Sequence, residues 1–327
     1  MKGFDSKYKD LPDYILKITH QIWEEKDVES INQYYAKGMP TRSPQGVIYG
    51  AKPVVKATYA TLKEFPDRQL LGEDVIWIGN DDEGYFSSHR ILTCATHANF
   101  GVYGEATGKK LVYRVIADCA CRNNQIYDEW LVRDQGAIIR QLGFDPQKYA
   151  GKLIHDEGGI NKCSIPFNKD TPNDVQIDGV YKAPTISKEN TGTRYAEILK
   201  QIFNKDLNAV EKNYDRAIQQ EQPGGFTRHG KKEATNFWNT LISAFPDSKF
   251  TIEHISYTDE KDQSKKAAIR WSLIGSHSGK GNFGNPSNAP VYVMGISHAE
   301  FGPRGIKNEW VLFDETIIWK QILMKTG

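Results

Sequence analysis

Cysteine is scarce in this sequence. Only four of its 327 residues are cysteines, and none follows Cys163. Cys119 and Cys121 lie two residues apart on an expected strand, but no second pair of ligands accompanies them, as a structural zinc site would need. We therefore expect buried free thiols, with no metal, cofactor or disulfide framework.

Charge of one sign and long apolar runs are missing too. The 42 basic and 41 acidic side chains leave a formal net charge of +1, which does not favour a nucleic-acid partner. No apolar run approaches the ~18 residues that span a membrane, and the first eleven residues are too charged for a signal peptide. Glycine-rich phosphate loops, Gly-x-Ser-x-Gly elbows and His-x-x-x-His metal pairs are absent. These features predict a cytoplasmic protein without membrane or nucleic-acid partners.

The sequence does contain a long internal repeat. Residues 125–143 return at 305–322 with constant spacing, so that Glu129-Trp130 recurs as Glu309-Trp310. The same offset relates Phe65-Pro66-Asp67 to Phe245-Pro246-Asp247 and His97 to His277. Solenoid repeats run to roughly 20–50 residues, so a repeat of this length is a whole domain. We predict one domain over 1–150, a linker over 151–184 and a second domain over 185–327.

Each copy begins with helical patterns and continues with alternating strands. In the first copy, apolar spacing predicts a helix over about 12–26, a second short helix that Asp27 caps and that runs through Tyr35, and a third from Pro53 that Pro66 ends. A loop is predicted over 39–49. Turn residues then divide 69–130 into strands of an antiparallel sheet. The second copy repeats this order, with helices predicted at 195–205, 208–219 and 231–245. Helices followed by a meander of strands predict an α+β domain.

The first copy resembles the SnoaL-like polyketide cyclases of the nuclear-transport-factor-2-like superfamily, and the second does so more weakly. The resemblance rests on these residues: Thr96-His97, Gly104, Thr107-Gly108-Lys109, Asp128-Glu129-Trp130, Asp134 and Gln141-Leu142-Gly143. It implies a cone, in which a strongly curved sheet wraps around helices and encloses an apolar cavity. It also implies intramolecular aldol chemistry on a small apolar carbonyl compound, with no cofactor.

The chain departs from this family at the positions implied to carry the chemistry. The acidic residue that follows the aromatic position is replaced by Leu131 and, in the second copy, by Val311. The partner histidine falls near Ala117 and Ser297. None of these side chains can exchange a proton at that place.

Strand alternation offers a substitute acid. If Leu131 faces the cavity, Glu129 and Tyr127 share that face, and Glu309 does so in the second copy. Glu129 is therefore the candidate acid or base, with a structural salt bridge as the alternative. The same alternation points His97 and His277 inward, where a hydrogen-bonded core histidine is the alternative to a catalyst. Aromatic side chains are expected to line the cavity or simply to pack in the core: Tyr34, Trp77 and Tyr113.

Two functions are the main candidates at this stage, beside a different isomerase or hydrolase activity. One is a cofactor-free cyclase that uses Glu129 and His97, and the other is a non-catalytic ligand-binding or scaffold protein. The fuller signature of the first copy predicts that it binds the ligand more tightly. Because Trp130 and Trp310 should face outward, we expect the copies to form an intramolecular pseudo-dimer, which could pair further into a homodimer.

Overall fold

The computed structural model describes residues 1–164, 181, 183, 186 and 188–327, and it contains two compact units. Of the described residues, unit 1 contains 1–133, 137–144 and 181. Unit 2 contains 134–136, 145–164, 183, 186 and 188–327. Most of the predicted linker at 151–184 lies outside the described residues. Among the residues that the structure describes, no helix is long and apolar enough to cross a membrane.

Unit 1 begins with helices and continues with strands, as predicted, except that two short strands precede its third helix. Its first helices are α1 (Leu11–Trp23), a 3-10 turn (Val28–Ser30), α2 (Ile31–Tyr34) and α3 (Ala51–Glu64). Its strands are β1 (Pro40–Ser43), β2 (Gly46–Tyr49), β3 (Gln69–Asn80), β4 (Gly84–Thr96), β5 (Lys110–Arg122) and β6 (Gln125–Arg133), followed by α4 (Gln135–Leu142) and α5 (Pro146–Asp156). The α5 helix belongs to unit 2. The strands form one sheet in the order β2-β1-β6-β5-β4-β3.

Unit 2 repeats this plan. It contains α6 (Thr191–Phe203), α7 (Asn208–Asn213), β7 (Tyr214–Gln222), β8 (Phe226–His229), α8 (Lys231–Ala244), β9 (Lys249–Thr258), β10 (Lys266–Ser276), β11 (Pro290–Gly302), β12 (Gly305–Phe313) and α9 (Glu315–Thr326). Its sheet order, β8-β7-β12-β11-β10-β9, matches that of unit 1 strand by strand. The chain thus consists of two tandem α+β cone folds.

Local sequence explains how the cones begin. The side chain of Asp10 accepts a hydrogen bond from the Asp13 amide and caps α1, whose Tyr14, Ile15 and Ile18 are buried. In unit 2, Asn190 and Thr193 form a reciprocal capping box at the start of α6. Such caps satisfy amide groups that the first helical turn leaves without partners.

Three local predictions were wrong. Residues 39–49 are not a loop, because β1 and β2 form a hairpin at the edge of the sheet. The predicted helix 208–219 ends at Asn213, since the following residues pair in parallel with β12 as strand β7. The first residues of the predicted linker, 151–156, are helical, because they belong to α5, which Asp145 caps and which continues to Asp156. In the first two cases, sheet pairing overrides local propensity.

The interiors of the two units are packed differently. In unit 2 large aromatic side chains fill the space between helices and sheet, and Trp238 and Trp271 are fully buried. In unit 1 much of the lining is only partly buried: Trp23, Tyr35, Val54, Val55, Leu62, Val75, Trp77 and Leu131. The α3 helix of unit 1 buries only Thr58 and Glu64, whereas its counterpart α8 buries six residues. The interior of unit 1 is therefore the less filled one.

Candidate functional site

The interior face of the unit 1 sheet carries a row of side chains centred on Glu129. Ser87 pairs with Cys119, and Cys119 pairs with Glu129, so these residues share one face of three adjacent strands. The parallel pairing of β1 with β6 places Thr41 on the other side of Glu129. The row therefore depends on the β1–β2 hairpin, which the sequence analysis did not predict.

Glu129 is a buried carboxyl group with few hydrogen-bond partners. Its Oε1 accepts a hydrogen bond from the Tyr35 hydroxyl at 3.3 Å, and its Oε2 accepts one from Thr41 Oγ1 at 3.1 Å. The Sγ atom of Cys119 lies 4.0 Å from Oε1. Burial raises the pKa of Glu129 to about 7, while the two hydroxyl donors oppose the rise. Such a group can both accept and release a proton near neutral pH.

Glu309 occupies the equivalent position in unit 2 but has a much closer set of partners. Tyr195 and Tyr214 each donate a hydroxyl hydrogen bond of 2.7 Å to Oε1, and Gln220 Nε2 donates to Oε2 at 2.6 Å. The side chain is completely buried. Burial raises the pKa of Glu309, and its donors lower it. Because its oxygens are held by three donors, this carboxyl group is a structural element of the unit 2 core.

His89 lies one step further along the same face and was missed by the sequence analysis. It pairs with Ala117, which pairs with Leu131 at the position where the resemblance implied the acid. Its ring is 2% exposed, and Nε2 has no hydrogen-bond partner among the described residues. Burial, followed by the charge of Arg90, lowers the pKa of His89 to about 4, so the ring is neutral at pH 7. His89 lies an even number of residues before His97, and alternate residues of a strand share a face. This spacing was the signal that could have identified it.

Unpartnered polar groups recur on this face of unit 1 and have apolar counterparts in unit 2. The hydroxyl groups of Ser87 and Thr93 are buried and have no hydrogen-bond partner in the described part of the chain. The equivalent positions in unit 2, as fixed by the matching strand registers, are Ala267 for Ser87, Ile269 for His89, Leu273 for Thr93 and Ala299 for Cys119. A buried polar group without a partner costs about 1–3 kcal/mol. Unit 1 therefore retains polar groups that this fold does without in unit 2.

The structure separates His97 from Glu129. Thr96, next to His97, pairs with Lys110, whereas Glu129 pairs with Cys119, nine residues further along β5. Nine residues of a strand extend about 30 Å. The His97 ring lies between Glu64 Oε1 at 3.2 Å and Thr107 Oγ1 at 3.1 Å. Sequence analysis predicted that His97 and Glu129 act together on one small ligand. They lie too far apart to do so.

The contacts of His97 make it part of a loop attachment. Besides the ring, the Glu64 carboxylate accepts hydrogen bonds from the amides of Val102 and Tyr103 at 3.0 Å each. In unit 2, His277 Nδ1 lies 3.0 Å from Ser287 Oγ, and burial lowers the pKa of His277. The contact between the histidine and a loop hydroxyl therefore occurs in both units. The Glu64 carboxylate has no counterpart in unit 2, where the equivalent residue is Ala244 and His277 Nε2 has no hydrogen-bond partner among the described residues.

Tyr127 does not share the interior face with Glu129, contrary to the strand alternation assumed from the sequence. A β-bulge places Cys121 opposite Ile126 and Ala120 opposite Asp128. Ile126 consequently packs in the unit 1 core. The Tyr127 ring instead packs beside Arg122, at 4.7 Å, and beside Tyr181. A bulge reverses the alternation of side chains, which explains the error.

The remaining predicted ligand-binding residues lie in different settings within unit 1. Tyr34 is buried, and its hydroxyl donates to Gln21 Oε1 at 2.7 Å. Trp77 pairs with Ser87 on the interior face and is partly buried. Leu131 packs against the core, also partly buried. Tyr113 is buried opposite Thr93, at the far end of the face from Glu129. In the described residues, no group of three or more His, Cys, Asp or Glu side chains could hold a metal ion.

Comparisons with known proteins find one matching family and several similar solved structures. Residues 193–322 match the family of SnoaL-like polyketide cyclases. Among solved structures, AclR from Streptomyces galilaeus, described as a proposed hydroxylase, is 20% identical, with 40% of this chain and 94% of that chain covered and a TM-score of 0.36. IdmH from Streptomyces antibioticus, described as a proposed polyketide cyclase, is 17% identical, with 40% and 97% covered and a TM-score of 0.35. No curated protein sequence matches the chain.

The family match covers residues 193–322, which is less than half of the chain. The matched residues lie in unit 2, in which the sequence analysis found the weaker resemblance. Unit 1 has the same order of helices and strands and the same sheet order. The chain therefore contains two tandem units of the SnoaL-like fold.

Proposed function

We propose that unit 1 is a cofactor-independent enzyme of the cyclase or isomerase type, acting on a small carbonyl compound, and that unit 2 is a structural copy. The observation that carries this proposal is Glu129, a buried carboxyl group that accepts hydrogen bonds from the hydroxyls of Tyr35 and Thr41 at 3.3 and 3.1 Å, with Cys119 Sγ 4.0 Å away. Its counterpart Glu309 has three closer donors. A ligand can therefore compete for Glu129 much more easily than for Glu309.

Glu129 has the properties of a general base and acid in turn. As a carboxylate it removes a proton from the carbon next to a carbonyl group, which leaves an enolate. In a cyclase, that carbon forms a bond with a second carbonyl carbon of the same molecule. The resulting alkoxide then takes the proton back from Glu129. With a pKa of about 7, the group is suited to both steps at neutral pH.

His89 is suited to hold the oxygen on which negative charge develops. Its ring is neutral at pH 7, and its Nε2 atom has no protein partner among the described residues. A neutral imidazole that carries its proton on Nε2 can donate a hydrogen bond to an enolate oxygen. From strand spacing and rise, the Cα atoms of His89 and Glu129 lie about 12 Å apart. The Nε2 atom lies near Gly72 of β3 and Leu16 of α1, so a ligand oxygen has to enter beside α1 to reach it.

The alternative is a non-catalytic ligand-binding protein. It is favoured by Leu131 and Ala117, which replace the acid and the histidine that the family resemblance implied. Both proposals require a ligand in unit 1, and they differ in whether Glu129 moves a proton.

Proton exchange on a generic ketone distinguishes the two functions. Methyl naphthyl ketone in deuterated buffer would be incubated with the wild type, with Glu129→Gln, and with Glu73→Gln, a control on the outer face whose carboxylate pairs with Arg90 and Arg114. We expect deuterium in the methyl group with the wild type and the control, and its loss with Glu129→Gln. Exchange that persists in Glu129→Gln would remove Glu129 from catalysis. No exchange with any of the proteins would favour the binding function.

A further inference from the structure

Arg68 is a buried arginine with an incomplete set of partners. It lies between α3 and β3, is 3% exposed, and stacks its guanidinium group 4.2 Å from the ring centre of Trp23. Its Nε and Nη1 atoms have no hydrogen-bond partner among the residues that the structure describes. Arginine stays protonated in proteins, so these atoms are donors that an acceptor must satisfy.

The surroundings of Arg68 add positive charge and hydroxyl groups. Burial lowers the pKa of Arg68, and so does the nearby charge of Arg133, while Tyr113 and Tyr103 raise it. None of these main influences is a carboxylate. An uncompensated buried cation is expensive, with a penalty of several kcal/mol in real proteins. The site therefore favours an anion that enters from the interior of unit 1.

The fold itself does not require this cluster. The equivalent positions in unit 2 are Ser248 for Arg68, Phe283 for Tyr103, Val293 for Tyr113 and Phe313 for Arg133. Val293 and Phe313 belong to the buried apolar core of unit 2. The same framework thus folds with a serine and three apolar residues at these positions, so the fold does not need the two arginines and two tyrosines.

We propose that Arg68, with Arg133 and Tyr113 beside it, binds the carboxylate of an anionic ligand in unit 1. This inference rests on the proposed ligand-binding function of unit 1 and changes its expected ligand from an apolar molecule to an amphipathic one. Between the cluster and Glu129 the face carries Val115 and Leu131, which suit a hydrocarbon skeleton. Arg133 lies four residues beyond Glu129 on β6, or about 13 Å. One carbonyl compound with a terminal carboxylate can therefore span from Arg68 to Glu129.

The test compares naphthoate with naphthamide, which has nearly the same shape and no charge. Dissociation constants would be measured by calorimetry for the wild type, for Arg68→Met, and for Arg114→Met, whose side chain is paired with Glu73 on the outer face. We expect the wild type and Arg114→Met to bind naphthoate about tenfold more tightly than naphthamide, a difference of about 1.4 kcal/mol. Arg68→Met should lose this preference. Lack of preference in the wild type, or its survival in Arg68→Met, overturns the proposal.

A second measurement needs no variant at position 68. In the nuclear magnetic resonance spectrum of the wild type, the Nε–H signal of Arg68 should shift with naphthoate and stay in place with naphthamide. An unmoved signal at saturating naphthoate overturns the proposal. Neither experiment uses turnover, so loss of the carboxylate site and loss of catalysis by Glu129 are separate outcomes. Glu129→Gln should keep the preference for naphthoate.

Discussion

Tyr214 donates its hydroxyl hydrogen to Glu309 over 2.7 Å, and the same oxygen accepts from Trp238 Nε1 at 3.2 Å. The equivalent tyrosine of unit 1, Tyr34, donates instead to Gln21. Glu129 therefore lacks the donor that secures Glu309. Together with Tyr195 and Gln220, which also donate to Glu309, this change of partner leaves one carboxyl group available to a ligand and makes the other part of a closed network.

Glu129→Gln should change how stability depends on pH. The pKa of Glu129 is raised from its ordinary 4.5 to about 7 in the folded protein, so folding favours the protonated form. The cost of ionising it appears as pH rises from about 4.5 to 7, and the neutral glutamine avoids that cost. Relative to the wild type, the variant should gain on the order of 3 kcal/mol across this range. Denaturant unfolding at both ends of the range measures this gain, and a pH-independent difference would contradict it.

Tyr214→Phe should destabilise unit 2 more than Tyr35→Phe destabilises unit 1. The first change removes a short hydrogen bond to a fully buried carboxyl group and leaves Trp238 Nε1 without its acceptor. We expect a loss of about 1–3 kcal/mol in the free energy of unfolding. The second change removes a 3.3 Å contact of a half-buried tyrosine and should cost less. Equal losses in chemical denaturation would argue against a structural role for Glu309.

His97→Ala should reduce stability without changing the affinity for naphthoate. The substitution leaves the buried Glu64 carboxylate without the ring that lies 3.2 Å away. Loss of such a partner costs about 1–3 kcal/mol or more. Calorimetry at a temperature where the variant remains folded would measure the affinity. A clear loss of affinity in the folded variant would return His97 to the ligand site.

His89→Ile should raise stability and weaken ligand binding, because it installs the side chain that unit 2 carries at Ile269. The imidazole Nε2 atom, buried without a partner, is replaced by apolar surface. The reverse exchange, Ile269→His, buries an imidazole in an apolar core and should cost about 1–3 kcal/mol. Thermal unfolding of both variants provides the comparison. A destabilised His89→Ile protein would show that His89 is needed for packing.

The pairing of the two copies as a pseudo-dimer remains a prediction. It requires a compact particle in solution, and Trp130→Asp should loosen it if that face lies between the copies. Small-angle scattering of the wild type and the variant would measure the change. Two independently tumbling units in the wild type would contradict the prediction.

The duplication and the α+β order could be predicted from sequence because they depend on long, regular patterns. Glu129 could be chosen because it lies two residues from Leu131 on one regular strand. Tyr127, two residues from Glu129 in the other direction, could not be placed, since a bulge interrupts the alternation. Bulges depend on pairing between strands and leave little trace in a single strand.

Long-range contacts account for the rest of the difference. The Thr41 hydroxyl reaches Glu129 only through the parallel pairing of β1 with β6, between segments that are 88 residues apart. The short β1 strand, which contains Pro40 and is followed by Pro44, is typical of a loop. Arg68 next to Pro66-Asp67 likewise looks like a turn residue, and only the packing of Trp23 shows that it is buried.

The aromatic packing of unit 2 also limits the order in which its core residues can be substituted. A side chain at Gly295 would collide with the Trp271 indole, whose Nε1 donates to Ser297 Oγ at 2.9 Å. The corresponding pair in unit 1 is Ile91 and Val115. A return from Trp271 to isoleucine must come first and would open a cavity that costs a few kcal/mol, whereas a valine at Gly295 cannot be accommodated before it. Each single step towards the unit 1 pair lowers stability, so the two interiors can be exchanged only through a destabilised intermediate.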